Sequence, residues 1–91
     1  NSRIAVYHFD FYRFTHAEEF LEAGLEEYFE GDGICLVEWP KLAQPYLPAA
    51  DLEIGLRISA SGGRDLELRA LSAEGQQCLE KFISAAGTHR P

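Results

Sequence analysis

Two short apolar runs, each closed by an acid, constrain the fold of this chain more than anything else in it. Arg3-Ile4-Ala5-Val6-Tyr7-His8-Phe9 leads into Asp10, and Ile34-Cys35-Leu36-Val37 leads into Glu38. Residues 3–11 are rich in β-branched and aromatic types and hold neither Gly nor Pro, so they read as a strand, apolar on both faces and well buried. Ile34 to Trp39 reads as a second strand, which Pro40 ends. About two dozen residues with helical patterning separate the two, the length of a βαβ crossover, and a crossover of that kind makes its strands parallel. Parallel strands finish on one edge. Asp10 and Glu38 are therefore expected together at the carboxyl edge of an open sheet, where ligands bind in α/β folds.

Between the strands, Thr15-His16-Ala17-Glu18 matches the capping box S/T-x-x-E and predicts a helix from His16, with a cap worth about 1 kcal/mol. Phe20, Leu21, Leu25, Tyr28 and Phe29 fall at near-helical spacing, and Glu18, Glu19, Glu22, Glu26 and Glu27 lie largely opposite, as a solvated face. Gly24 in a helix interior costs about 1 kcal/mol relative to Ala, so a break is expected there. Gly31-Asp32-Gly33 reads as a turn, and Leu42 to Pro48, with two prolines, allows only a short helical turn and an extended segment.

Leu52 to Ile58 and Leu66 to Leu71 alternate apolar and polar with a period of two and are joined by Ala60-Ser61-Gly62-Gly63, which predicts a β-hairpin with one wet face. Ser72 is placed to cap a last helix carrying Cys78, Leu79, Phe82, Ile83 and Ala86 on one apolar side, and Thr88 to Pro91 reads as a frayed tail.

Ninety-one residues, 46% of them hydrophobic, suffice for one core and not two. Fifteen acidic residues against eight basic ones, a formal charge of -7, repel phosphate backbones, so any RNA contact is expected through a basic partner. Cys35 and Cys78 fit no metal-ligand spacing and read as buried thiols of a reducing compartment, with a disulfide as the alternative. No apolar stretch approaches the roughly 20 residues that span a bilayer, which makes a cytoplasmic protein the expectation.

Two carboxylates on one edge suit a hard cation such as Mg2+, which needs one or two protein carboxylates plus waters and phosphate oxygens, or else a general base for water. The plainer reading has Asp10 capping a turn and Glu38 paired with Arg13 or Lys41. His8 alternates with Asp10 on one strand face and either orients that acid or bonds a backbone carbonyl. Trp39 is either an anchor under the sheet edge or a stacking surface. Arg13 reads as the partner of Glu18, with a phosphate contact as the other use. His16 and His89 have no metal-like spacing. Tyr7, Phe9 and Phe11 read as core.

Taken in order, Val6-Tyr7-His8-Phe9-Asp10-Phe11-Tyr12-Arg13, Glu18-Glu19-Phe20 through Gly24-Leu25-Glu26-Glu27-Tyr28-Phe29, Ile34-Cys35-Leu36-Val37-Glu38-Trp39-Pro40, Leu47-Pro48 and Gly63-Arg64 resemble the TsaE (YjeE) family. That family is the P-loop ATPase subunit of the bacterial machinery that makes threonylcarbamoyladenosine on tRNA. The resemblance implies an α/β, P-loop NTPase-like mixed sheet, parallel strands plus a C-terminal antiparallel hairpin with flanking helices, incomplete at its N-terminus. It implies residues 1–91 as the C-terminal part of a single ATPase domain that works with Mg2+ and ATP. Asp10 would be the Walker-B-like acid on the metal, Glu38 a second acid toward metal or attacking water, Trp39 a neighbour of the nucleotide and Arg64 a contact to it. The implied partners are the TsaD and TsaB subunits, with tRNA met only indirectly.

The chain departs from the family in one respect: no G-x-x-x-x-G-K-[ST] occurs in its 91 residues, and Gly62-Gly63 lies in a hairpin turn. A chain beginning at Asn1 without that loop is expected to be the C-terminal portion of a longer protein, to bind triphosphate poorly, and to self-associate through an open sheet edge. A non-catalytic module that docks on TsaD and TsaB is the alternative function.

Overall fold

The computed structural model describes residues 3–87. The expected tail at Thr88 to Pro91, with His89, lies outside the described residues, as does the start at Asn1. The chain forms two compact units, Asn1–Pro48 and Ala49–Pro91.

In the first unit β1, Val6–Asp10, pairs with β2, Ile34–Glu38, in parallel. The register sets Val6 beside Ile34, His8 beside Leu36 and Asp10 beside Glu38. Backbone bonds continue the ladder past both ends, from Ile34 N–H to the Ala5 carbonyl at 2.8 Å and from Phe11 N–H to the Glu38 carbonyl at 3.2 Å. The crossover length thus does set the strand direction, as expected.

Burial alternates along both strands. Tyr7, Phe9, Cys35 and Val37 are half-buried, whereas Val6, His8, Asp10, Ile34, Leu36 and Glu38 are exposed. This corrects the expectation of two buried faces: helical segments follow only one side of this two-stranded sheet, so the apolar residues of the other remain open. On the covered side Phe9 stacks on Phe29 at 5.1 Å, and Phe11 meets Phe14 at 4.7 Å and Phe20 edge-on at 5.9 Å. Phe11, Phe20 and Ala43 form the fully buried centre, and each buried Phe contributes roughly 1.5–3 kcal/mol.

The crossover is more broken than its periodicity predicts. The helix α1 spans only Glu19–Glu22, and a 3₁₀ helix, Leu25–Phe29, follows. Gly24 separates them with φ of 66°, a left-handed conformation that costs glycine little, so the expected break is present. The predicted start at His16 is wrong by three residues, and the cause is the identity of the acid that reaches back. Glu19 Oε2 accepts the Thr15 N–H at 2.6 Å and the His16 N–H at 3.2 Å. Glu18 instead accepts the Tyr46 hydroxyl at 3.4 Å. After β2, Pro40–Ala43 makes a 3₁₀ turn that puts Ala43 into the core.

In the second unit β3, Leu52–Ile58, and β4, Arg64–Ala70, pair antiparallel with Leu52 opposite Ala70 and Ile58 opposite Arg64. The expected hairpin is present, two residues longer at its turn end because Arg64 and Asp65 join the ladder. Its wet face carries Arg57 donating to Glu67 at 3.1 Å and Arg69 donating to Glu53. The other face is apolar and mostly uncovered, with Ile54, Leu56, Ile58 and Leu66 exposed. The helix α2, Ala73–Gly87, begins at the predicted cap: Ser72 Oγ accepts the Gly75 N–H at 3.0 Å and donates to Asp51 Oδ1 at 2.6 Å. Leu79 is half-buried, but Cys78, Phe82 and Ile83 are exposed, so the apolar side of this helix is only partly covered. Both cysteines are free thiols, and only Cys35 is shielded, which corrects the reading of Cys78 as buried.

Candidate functional site

The carboxyl ends of β1 and β2 bring two of the four sequence-predicted site residues side by side. Asp10 and Glu38 are register partners, on strands whose axes run about 4.8 Å apart in any sheet. Since side chains alternate along a strand, both project from the exposed face, together with His8.

Each acid has one oxygen held by the chain itself. Asp10 Oδ1 accepts the Tyr12 N–H at 3.0 Å, which closes the turn leaving β1. Glu38 Oε2 accepts from His8 Nε2 at 2.7 Å. The plainer reading of Asp10 as a turn cap is therefore correct as far as one oxygen goes. Neither Arg13 nor Lys41 pairs with Glu38, and Arg13 makes no ion pair with Glu18; His8 occupies the position those cations were expected to fill. His8 bonds the carboxylate and not a backbone carbonyl. Among the described residues nothing engages the second oxygen of either acid.

Trp39 follows Glu38 directly and takes φ of 59° and ψ of 51°, a left-handed conformation that costs a residue with a Cβ about 1–2 kcal/mol. The turn aims the indole at Tyr12, ring centroids 5.1 Å apart, and leaves it 55% exposed. Trp39 is thus an open ring at the acidic edge and not an anchor beneath it. Tyr12, 63% exposed, lines an open depression with Asp10 and Arg13. Sequence reasoning passed over Tyr12; its place two residues after Asp10, where the turn that Asp10 caps must put it, is the signal that could have found it. Arg64, the fourth expected residue, opens β4 opposite Ile58 in the second unit.

Burial pushes the Cys35 thiol up, and its Sγ donates to the Tyr28 carbonyl at 3.3 Å, so this cysteine is a packed group on the covered face. No group of three or more His, Cys, Asp and Glu side chains that could enclose a metal occurs among the described residues. An edge with two carboxylates therefore suits only a cation that keeps most of its ligands as water or substrate oxygens. Magnesium is such a cation. No helix among the described residues is long and apolar enough to cross a membrane.

The family model described as threonylcarbamoyl adenosine biosynthesis protein TsaE matches residues 1–66. Proteins named tRNA threonylcarbamoyladenosine biosynthesis protein TsaE are similar to the chain in several bacteria. The Haemophilus influenzae protein is 36% identical over 77 residues, covering 85% of this chain and 48% of that protein. The Bacillus subtilis protein is 35% identical over 79 residues, 87% of this chain and 49% of its own length. That of Treponema pallidum is 35% identical over 66 residues, 72% and 49% respectively. The chain spans about half the length of these curated relatives. Because that family model matches residues 1–66, well over half of the chain, the chain belongs to the TsaE family.

Proposed function

We propose that this chain is the acidic part of a magnesium-dependent, ATP-hydrolysing subunit that supports threonylcarbamoyladenosine modification of tRNA in the cytoplasm. The observation that carries the reading is the pairing of Asp10 with Glu38 at one end of two parallel strands. Like charges on neighbouring strands repel, and among the described residues no Lys or Arg lies within ion-pair distance of either acid. A cation between the two acids would relieve that repulsion, which the bonds to the Tyr12 N–H and to His8 leave in place.

Asp10 and Glu38 would hold Mg2+ through the oxygens that the chain leaves unengaged. Bound there, the ion would neutralise phosphate charge and help orient water for attack. The chain's own residues do the rest: His8 and the Tyr12 N–H fix the carboxylates, Glu38 can accept a proton from water, and Trp39 with Tyr12 offers ring surface for a base. Arg64 would contact the nucleotide. The 91 residues contain no phosphate loop, so their part is confined to the acids, the rings and the arginine. TsaD and TsaB are the proposed partners, with tRNA reached only through them.

The test is ATP turnover by a product of the relatives' full length that carries these residues, under Asp10→Ala and Glu38→Ala. Each substitution is expected to lower kcat about 100-fold or more. Turnover by both variants at the parent rate would refute the assignment. The exposed apolar face of the hairpin, Ile54, Leu56, Ile58 and Leu66, favours the second reading, a docking module without turnover. In that case the 91-residue chain retains TsaD and TsaB in a pull-down and shows no nucleotide binding.

A further inference from the structure

His8 lies next to Leu36 in the register, yet its ring bonds Glu38, two residues further along the neighbouring strand. Such diagonal neighbours are about 7–8 Å apart at Cα, so the contact requires the long glutamate side chain to lean back along the sheet toward the imidazole. Asp10 is held from the opposite direction, by the N–H of Tyr12 beyond the strand end. One acid is thus fixed from inside the sheet and the other from the turn. Both fixings take a single oxygen, and a carboxylate can accept only, so the ring nitrogen donates to Glu38.

We propose that His8 is a positioning residue that holds the Glu38 carboxylate beside Asp10 in the orientation a hard divalent cation requires. This rests on the cation reading of the acidic edge. Without the ring, Glu38 is a flexible exposed side chain with a like charge next to it, and repulsion from Asp10 turns it toward solvent. With the ring, one rotamer is retained before the cation arrives, and the loss of side-chain freedom on binding is correspondingly smaller. The ring is itself 59% exposed and lies on the uncovered face, so packing has no claim on a histidine there.

The 91-residue chain itself supplies the test. In its NMR spectrum the His8 ring nitrogens are expected to shift on Glu38→Leu, and unchanged ring resonances would remove the contact and the proposal with it. Mn2+, a hard and paramagnetic substitute for Mg2+, is expected to broaden the amides of Asp10 and Glu38 first. His8→Leu should raise the Mn2+ concentration for half-broadening about three- to tenfold, between the effect of an exposed ion pair and that of a buried group behind a metal ligand. His8→Gln, which keeps an N–H donor at similar reach, should stay within about twofold of the parent. Unchanged Phe11 and Phe20 resonances establish that both variants fold. Equal Mn2+ response in His8→Leu and the parent overturns the proposal while leaving the cation reading in place. Absence of broadening at Asp10 and Glu38 in the parent removes the cation reading, and the role of His8 falls with it even where the ring reports its contact.

Discussion

The two units of this chain reach order by different means. Residues 3–48 converge on Phe11, Phe20 and Ala43, with three further rings, Phe9, Phe14 and Phe29, packed against them, whereas the second unit has no fully buried side chain among its described residues and only Gly75 at its centre. What holds the second unit is hydrogen bonding: a seven-pair hairpin ladder, and a helix whose first turn is tied to Asp51 through the Ser72 side chain. The contrast teaches where a site can be kept. Side-chain packing beneath β1 and β2 fixes the ends of those strands, and the acids project from the far face of the same residues that the core holds. A ladder alone fixes register but leaves its apolar face open.

The contrast predicts unequal sensitivity to truncation. Phe20→Ala empties the centre of the first unit and should cost about 3–5 kcal/mol, a large share of the stability of any small domain. Loss of amide-exchange protection across β1 and β2 is the measurement. Leu79→Ala truncates the one leucine of α2, which is only half-buried, and should cost under about 2 kcal/mol. Equal costs would mean that the second unit has a side-chain core after all.

In the second unit the sensitive position should instead be a backbone approach. A Cβ on Gly75 would lie 1.8 Å from the Asp51 carbonyl oxygen and 2.6 Å from its carbon, and neither atom belongs to a flexible side chain. Helix propensity favours Ala over Gly by about 1 kcal/mol, but the overlap forces α2 away from the chain entering β3, and the net effect should be destabilisation by about 1–3 kcal/mol. A denaturation midpoint decides the sign; a stabilised Gly75→Ala would show that the helix has room to move. Ser72→Ala should follow at about 1 kcal/mol, since it removes the cap of the Gly75 N–H together with the bond to Asp51. A reduced melting temperature with unchanged hairpin resonances is the expected signature.

Much of this was legible in the sequence because periodicity is a property of the chain itself. A strict alternation marks Leu52 to Ile58 and Leu66 to Leu71 as paired strands, and the crossover length makes β1 and β2 parallel, so Asp10 and Glu38 were bound to share an edge once those strands formed. What periodicity does not carry is which of two adjacent acids closes a turn. Glu18 and Glu19 differ by one residue, and the three-residue error in α1 follows from that. Nor does it carry reach: the bond from His8 to Glu38 depends on two rotamers across a strand pair, and the ring contact of Tyr12 with Trp39 depends on a left-handed turn at a tryptophan, a conformation no propensity favours. Exposure of the Val6, Ile34 and Leu36 face was likewise hidden, because an apolar residue has the same identity whether or not anything covers it.

The smallest effect expected separates the units by pH. In the first, the backbone N–H of Thr15, then that of His16, hold the Glu19 carboxyl below its ordinary range. A depressed folded-state value means that the charged form is favoured by folding, so this contribution is complete above the unfolded value, about 4.3, and is lost as pH falls through the lower folded one. In the second, the Glu53 carboxylate pushes the Arg69 guanidinium up, and a raised value has the opposite sign: its contribution is complete below the unfolded value and is lost only as pH rises through a range far above any at which the chain is worked with. Glu19 is half-buried at the surface and still screened by water, so its share should be slight and its titration the better readout. A carboxyl carbon of Glu19 that titrates below those of solvated glutamates, with the Thr15 amide moving at the same midpoint, is the expected result. Glu19→Gln should abolish the Thr15 movement in acid and leave the Arg69 side-chain resonances as they were. A Glu19 midpoint at the ordinary glutamate value would show that the turn before α1 is closed by something other than this carboxylate.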